Sequence, residues 1–416
     1  MAMVIPQRIL VAPSGFKGSL EADEVADAIA GGIRRVIPGV SVASMPIPDG
    51  GEGTAKLLAR STGGSLVNAQ VTGPVGQPVD SHFALLGGQQ KGVAVVEMAA
   101  AAGLSLVPDN LRNPAETTTY GVGELISRAL ATSGVHTVLV GCGDSGTSDG
   151  GAGALAALGA AILDKQGKQL PLGGAHLQDV AALDLSGLDP KLKKVRLVLA
   201  LNQHNVLTGQ RGVARVFGPQ KGASQKQVDL LDKALTRWAQ VLTETRQKLS
   251  PGDPINFYTG PGTGASGGLG AGLALLGAEL TPRFEALIDS GLAGLNLDEA
   301  ITRADLVVTA EGAIDFQTPK GKVPAEIASR AQEEGIPVLA LAGSIGRKAY
   351  KVHEAGIGAF ASIIPLPMAL DHALENGAEL LTDSAERCFR LLLLGSAMST
   401  SIINRSRQTM TDIAAA

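Results

Sequence analysis

Aromatic residues are scarce in this chain: only 3% of its 416 positions, with a single Trp and three Tyr. Its cores must therefore be built from aliphatic side chains in tightly packed layers. Two cysteines, Cys142 and Cys388, are too few for a disulfide framework or a cysteine-based zinc site. A formal net charge of -4 leaves no basic footprint, which argues against nucleic acid as a partner. No stretch holds the ~20 strongly apolar residues of a membrane-spanning helix, and none of the charge-free runs, such as Gly150 to Leu163, escapes punctuation by glycine. The segment Met1–Leu10 contains Pro6 and Arg8 and lacks the apolar centre of a signal peptide; a soluble cytoplasmic protein with no membrane partner is expected. A phosphate-binding G-x-x-x-x-G-K-[ST] string is absent. The six histidines (82, 136, 176, 204, 353, 372) show no metal-ligand spacing, and only His204 falls at a strand end.

What the chain has in quantity is glycine, 54 residues, nearly twice the average usage of ~7%, alongside 45% apolar residues. One pattern recurs: a short apolar run, a glycine-rich polar turn, then an apolar stripe at helical spacing. Arg8–Ala12 leads into Pro13-Ser-Gly-Phe-Lys17-Gly18-Ser19, and a helix follows with Ser19 as the expected N-cap and acids in its first turn. Val42–Ile47 ends in Pro48-Asp49-Gly50-Gly51-Glu52-Gly53-Thr54, with Asp49 or Thr54 as the expected cap of the next helix. Such alternation predicts a parallel sheet covered by helices on both faces. From about Leu66 the runs Val67–Val71, Val79–Leu86 and Gly92–Met98 follow one another without a helix, the texture of an antiparallel or mixed sheet. Further strands are predicted at Thr137–Val140 and Val195–Leu201, and a long helix from about Ser224 to Leu249. After about Pro282 the simple rhythm returns, with strands at Leu306, Val338 and Phe360 and a closing helix from about Thr382. The fold class expected is α/β: a Rossmann-like doubly wound domain built from both termini (residues 1–66 and 283–416), with a second α/β domain carrying a mixed sheet (67–282) inserted.

Chemistry gathers at the strand ends. In open α/β sheets ligands bind in the crevice beyond the carboxyl ends of the strands. There this sequence places Asp49 and Glu52, then Asp144 and Asp149, then Glu311 and Asp315, the last two followed by Gln317, Thr318 and Lys322. Cations stand in matching turns: Lys17, Lys221 in Phe217-Gly-Pro-Gln-Lys221-Gly222, and Lys322. Two G-x-G-x-x-G strings occur, Gly141-Cys-Gly143-Asp144-Ser-Gly146 and Gly262-Thr-Gly264-Ala-Ser-Gly267. The first carries acids where a pyrophosphate would sit, and those acids suit Mg²⁺ or a substrate hydroxyl better. The second carries none, so its glycines are open to two readings, a phosphate seat at a helix start or close packing. Arg112 offers a bidentate fork for a carboxylate, or else a turn arginine paired with Glu116.

Together, several of these blocks resemble the bacterial glycerate kinases of the type I family. They are Ala12–Leu20, Pro48–Thr54, Arg112-Asn-Pro with Thr118–Ile126, Gly141–Gly153, Val216–Ala223, Gly262–Gly272 and Glu311–Pro324, and their order spans nearly the whole chain. The resemblance implies a Rossmann-like domain interrupted by a second α/β domain, and transfer of the γ-phosphoryl of ATP to glycerate with Mg²⁺, the 2-hydroxyl being the acceptor. Where the family usually has Asp-Ser, this chain has Ser14-Gly15; where it has Asp-Val-x-Asn-Pro-Leu, the chain reads Asn202-Gln-His-Asn205-Val-Leu207; and Ala313 stands in place of an arginine.

The site expected on this reading works by positioning and charge neutralisation. Asp315, then Asp144 or Asp149, would accept the hydroxyl proton; Lys17 and Lys322 would neutralise the phosphoryl group. Asp49, Glu52 and Glu311 would hold the metal. Arg112, Thr118, Asn205 and Gln317 would contact the substrate, and Gly262, Gly264, Gly267 and Lys221 the nucleotide. In this arrangement Glu311 and Asp315 end a strand of the terminal domain and face the acids of the insert across a cleft. The partners are ATP and a small hydroxy acid. Alternatives are a kinase of a related hydroxy acid, a nicotinamide-dependent oxidoreductase resting on the two glycine strings, and a two-domain protein that binds a small acid without turning it over.

Overall fold

The computed structural model of the chain describes residues 5–292 and 294–414. The chain is α/β and folds into two compact units, one made of the residues up to Ile47 together with those from Asn296 onward, the other of Pro48–Leu295. In chain order the first unit opens with strands β1 (Arg8–Val11) and β2 (Ser41–Ser44). The second unit supplies β3 (Ser65–Thr72), β4 (Pro78–Leu85), β5 (Val93–Glu97), β6 (Thr137–Gly141), β7 (Ala161–Leu163), β8 (Ala182–Asp184), β9 (Arg196–Leu201) and β10 (Glu279–Pro282). The chain then returns to the first unit with β11 (Leu306–Ile314), β12 (Val338–Ile345) and β13 (Ala359–Ser362).

The first unit's sheet runs β13-β12-β11-β1-β2, and every pairing in it is parallel. Its strands are apolar on both faces, as a sheet covered on both sides requires. Ile9, Val11, Val308 and Leu341 form one core with Val25, Ile29 and Ile33 of the helix Ala22–Val36 and with Leu381, Ala385 and Phe389 of the closing helix Gly377–Ala414. The intervening residues Leu10 and Val307 are equally buried but face the other way, on the side of the helix Val323–Glu333, which packs on β11 and β12. The two helices of the first face approach so closely that Gly32 lies against the backbone of Thr382.

The second unit carries a mixed sheet, β10-β9-β6-β5-β4-β3. The pairs β3–β4 and β4–β5 are antiparallel, and β5–β6, β6–β9 and β9–β10 are parallel. The loss of intervening helices after Leu66 thus marks the antiparallel half. The long helix Gln225–Leu249 starts at a capping box, with Ser224 N donating to Gln227 Oε1 at 2.8 Å. Its fully buried Trp238 donates an indole N–H to the Gly150 carbonyl at 2.9 Å. That bond ties the helix to the loop after β6.

Three details differ from the sequence expectations. The breaks between units fall after Ile47 and Leu295, not near residues 66 and 282, because the helix Thr54–Thr62 packs on β3, β4 and β5, and the helical turn Glu285–Asp289 packs back on β9 and β10. Ser19 does not cap the first helix: Glu21 does, its N–H held by Glu24 Oε2 at 2.8 Å, while the Ser19 hydroxyl donates to the Leu374 carbonyl at 2.7 Å. The N-cap of the helix Thr54–Thr62 is Gly53, at φ 88°, and neither Asp49 nor Thr54.

The helix contact in the first unit can be tested. A Cβ on Gly32 would sit 2.2 Å from the Thr382 carbonyl oxygen, whereas one on Gly31 meets nothing nearer than 3.9 Å. Gly32→Ala should therefore destabilise the protein by about 1–3 kcal/mol, and Gly31→Ala should be neutral or stabilising by up to about 1 kcal/mol. Denaturant melts of the two variants check this.

Candidate active site

In the first unit, the chain leaving β1 continues alongside β11. Ala12 N donates to the Val308 carbonyl at 2.8 Å, and Ser14 N to that of Ala310 at 3.0 Å. The Ser14 hydroxyl shares the Ala310 carbonyl at 3.1 Å. The turn that follows is closed by Phe16 and Leu20 and exposes Lys17 at its tip. Strand β11 is longer than its apolar run suggested, so Glu311 lies within the strand, paired with Ala342, and not beyond its end. Lys322 Nζ bridges back to it, 3.1 Å from Glu311 Oε1 and 3.2 Å from the Ala313 carbonyl. Between them Asp315 organises a tight turn: its Oδ1 accepts from Gln317 N at 2.8 Å, and its N donates to the buried Thr318 hydroxyl at 3.0 Å. Gln317 itself is exposed. Lys17, Glu311, Asp315 and Lys322 thus gather at the carboxyl edge of one parallel sheet.

In the second unit, the turn Asp49–Thr54 lies across the carboxyl ends of β5 and β6. The approach is backbone to backbone: a Cβ on Gly141 would meet the Gly50 carbonyl oxygen at 2.6 Å, and one on Gly143 the Gly51 Cα at 2.5 Å. Two carboxylates converge on this turn. Asp49 Oδ1 accepts from Gly51 N at 2.8 Å, and Asp144 Oδ2 from Glu52 N at 3.2 Å. A Cβ on Gly51 would fall 2.3 Å from Asp144 Oδ2 and 3.0 Å from Asp49 Oδ1, so both oxygens border one small space that only glycine leaves open. Asp144 adopts φ 53° to reach it. Arg283, just past the end of β10, donates to the Asp49 carbonyl at 3.3 Å.

Beneath the turn lies Glu97, the last residue of β5 and 1% exposed. Its Oε1 accepts from Ala55 N in the first turn of the helix Thr54–Thr62, and its carboxyl also takes the Gly53 N–H. Burial pushes Glu97 up to about 8; the two amide bonds oppose the rise, while the charges of Glu52 and Asp49 add to it. Sequence reading passed over Glu97 and Arg283. The available signals were an acid closing a run of four apolar strand residues, Val93-Ala-Val-Val, and a cation directly after a strand.

Other residues expected at the site prove to be internal. Asp149 is fully buried: its carboxylate accepts from Thr119 N at 2.7 Å, the Thr119 hydroxyl at 2.9 Å, and Gly151 N and Gly153 N at 3.1 and 3.2 Å. It fastens the start of the helix Ala152–Ala157 and has no open side toward a substrate hydroxyl; burial raises its pKa against those bonds. Thr118, 2% exposed, accepts at its hydroxyl from Tyr120 N at 3.1 Å and so is no surface contact. Lys221, 3% exposed, does not point outward to a nucleotide. Its Nζ donates to Ser145 Oγ at 2.9 Å and to the Thr147 carbonyl at 2.6 Å. Burial lowers it to about 7, with the Asp149 charge opposing.

The glycines of the second string meet backbone or core instead of open space. A Cβ on Gly262 would strike Leu201 at 2.6 Å, on Gly264 the Val206 carbonyl at 2.2 Å, and on Gly267 the Thr147 carbonyl at 2.0 Å. Close packing is the reading these distances carry, and with the first string covered by Gly50 and Gly51 the dinucleotide alternative loses its support. Asn205 lies in that packing, its carbonyl accepting from Gly264 N at 3.1 Å. Arg112 is half-exposed and pairs with Asp109 at 2.9 Å rather than with Glu116. Of the residues expected to hold a metal, Asp49 and Glu52 belong to the second unit and Glu311 to the first. Among the described residues no group of three or more His, Cys, Asp or Glu side chains is arranged for a metal ion. Nor is any helix among them long and apolar enough to cross a membrane.

Acids and cations thus stand at the carboxyl ends of parallel strands in each unit, the place where open α/β sheets bind ligands. Comparison with known proteins gives the family. The glycerate kinase family model matches residues 9–393. The glycerate kinase of Bacillus subtilis (strain 168) is 41% identical over 391 residues, covering 94% of this chain and 99% of that protein. The glycerate 2-kinase of Escherichia coli (strain K12) is 39% identical over 389 residues, covering 93% and 98%. The crystal structure of a candidate glycerate kinase 2 from Salmonella typhimurium LT2 superposes with a TM-score of 0.75 at 38% identity, over 94% of this chain and 100% of that one. The chain belongs to the glycerate kinase family.

The buried lysine has a signature in solution. Its ordinary pKa is 10.5 and its folded value about 7, so between these the unfolded chain binds a proton that the folded one does not. The cost of burying the charge is then fully present below pH 7 and is relieved as pH rises toward 10.5. Lys221→Met should remove that pH-dependent gain, which parallel denaturant titrations of the two proteins at pH 7, 8.5 and 10 would read as a flatter profile for the variant.

Proposed function

We propose that the protein transfers the γ-phosphoryl group of ATP to the 2-hydroxyl of glycerate in a Mg²⁺-dependent reaction. Family membership supports the reaction class, and the name of the Escherichia coli relative supports the 2-position. The observation that carries the Mg²⁺ part of the reading is the space beside Gly51, bordered by Asp49 Oδ1 and Asp144 Oδ2. Mg²⁺ is commonly held by one or two carboxylates, with phosphate oxygens and water completing its octahedron. Two converging acids without a third therefore fit it. Bound there, the ion would neutralise and orient phosphate oxygens.

The chain's own residues take the remaining roles, unit by unit. In the second unit Asp49 and Asp144 hold the metal, Glu52 lies exposed beside them, and Arg283 adds positive charge at the end of β10. In the first unit Asp315 accepts the proton as the glycerate oxygen bonds to the γ-phosphorus and the bond to the β-phosphate oxygen breaks, releasing ADP. Lys17 and Lys322 offset the charge on the transferring group. Lys322 can do so because its ammonium is already fixed by Glu311 and the Ala313 carbonyl, which lowers the ordering cost of its engagement. Gln317 and Arg112, both reaching solvent, are the polar side chains left to contact the hydroxy acid.

The direct test is release of ADP from ATP that depends on both glycerate and Mg²⁺, with phosphorus NMR of the product to separate the 2- from the 3-phosphate. No glycerate-dependent release would end this reading. Asp315→Asn should lower kcat about 10²–10⁴-fold, the usual contribution of a general base; turnover within a few-fold of the parent would remove Asp315 from that role.

A further inference from the structure

We propose that Glu97 is the positioning residue of the active site: it holds the turn Asp49–Thr54 in the one conformation that brings the Asp49 and Asp144 carboxylates together. This deepens the reading of Asp49 and Asp144 as the metal-binding pair and rests on it.

The argument begins with the turn's own deficiency. Gly53 is the N-cap of the helix Thr54–Thr62, and its φ of 88° favours glycine over any residue with a Cβ. A glycine cap has no side-chain oxygen to offer the first N–H groups of the helix, which have no partner within it. The carboxyl group of Glu97 supplies that oxygen from another strand, taking the N–H groups of Gly53 and Ala55. Thr54 adds a second fastening by accepting from Gly50 N at 3.0 Å. The stretch between the two fastenings is Gly50–Gly53. It carries the Gly51 N–H that orients Asp49 and the Glu52 N–H that orients Asp144.

Glu97 is paired in register with Gly141 of β6, and Gly141 and Gly143 in turn lie beneath Gly50 and Gly51. One side chain at the end of a central strand therefore fixes the height at which the turn rides over the strand ends. A buried ionised carboxylate facing two acids would be costly. The rise of its pKa to about 8 fits a carboxyl that keeps its proton at neutral pH. An amide of the same shape should then serve in its place, and neither a shorter nor an absent side chain should.

The test compares the parent with Glu97→Gln, Glu97→Asp and Glu97→Ala. Backbone amide exchange at residues 50–55 of the metal-free proteins is followed together with kcat and the Mg²⁺ concentration for half-maximal ADP release. Glu97→Gln should keep amide protection and kcat within about threefold of the parent. The Asp and Ala variants should lose protection at Gly51, Glu52 and Ala55, need about tenfold more Mg²⁺ and lose kcat. Unchanged protection and Mg²⁺ requirement in the Asp variant would overturn the proposal even if the Ala variant fails to fold. So would equal losses in Gln and Asp, which would assign the role to charge rather than position. A parent protein without glycerate-dependent turnover would end the kinase reading, while the exchange measurements would still decide the role of Glu97.

Discussion

The second unit depends on one close approach, that of the Asp49–Thr54 turn onto the ends of β5 and β6. Gly50 and Gly51 lie over Gly141 and Gly143 at distances no Cβ would tolerate. The contact is made by backbone alone, so nothing adjustable intervenes between the sheet and the turn. Asp49 and Asp144 come from opposite sides of this contact, and their oxygens border the same space beside Gly51. A glycine-rich sequence with few aromatics is what such architecture requires, because side-chain volume at these positions would force the layers apart.

Around that contact, buried polar groups serve as fasteners. Lys221 holds the Ser145–Thr147 stretch, Asp149 gathers the starts of two helical segments through Thr119, Gly151 and Gly153, and Glu97 caps the helix after the turn. Burying ionisable groups is unfavourable unless their bonds are satisfied. Here each carries two or more hydrogen bonds to backbone or hydroxyl partners. The shifts follow from the same balance: burial raises Glu97 and Asp149 and lowers Lys221, moving each toward its neutral form.

The first unit solves a simpler problem. Five parallel strands present their carboxyl edge, and the segments after β1 and β11 run side by side through the Ala12 and Ser14 hydrogen bonds. Its charged groups stand partly open, with Lys322 braced against Glu311 and Asp315 shaping its own turn. The contrast between enclosed charges, such as Glu97, Asp149 and Lys221, and more open ones, such as Asp49, Glu52, Asp315 and Lys322, distinguishes residues that hold a loop from residues able to meet a ligand.

Periodicity by itself determined the α/β class, the parallel sheet of the terminal segments, the mixed sheet of the middle and the long helix from Gln225, because apolar spacing records which faces are buried. Motif order pointed to the family for the same reason: turns at strand ends tolerate few residue types. What only the tertiary structure decided is which of those turn residues face inward. Asp49 and Asp149 look alike in sequence, each an acid before glycines, yet one borders the space beside Gly51 and the other is closed in by Thr119, Gly151 and Gly153. Lys221 and Lys322 both adjoin glycine, and only the packing of Ser145 and Thr147 encloses the first. Glu97 was hidden because it ends a strand as the last of its buried residues, and its partners at Gly53 and Ala55 lie some forty positions away. Burial and long-range pairing depend on how layers stack, which a linear pattern does not record.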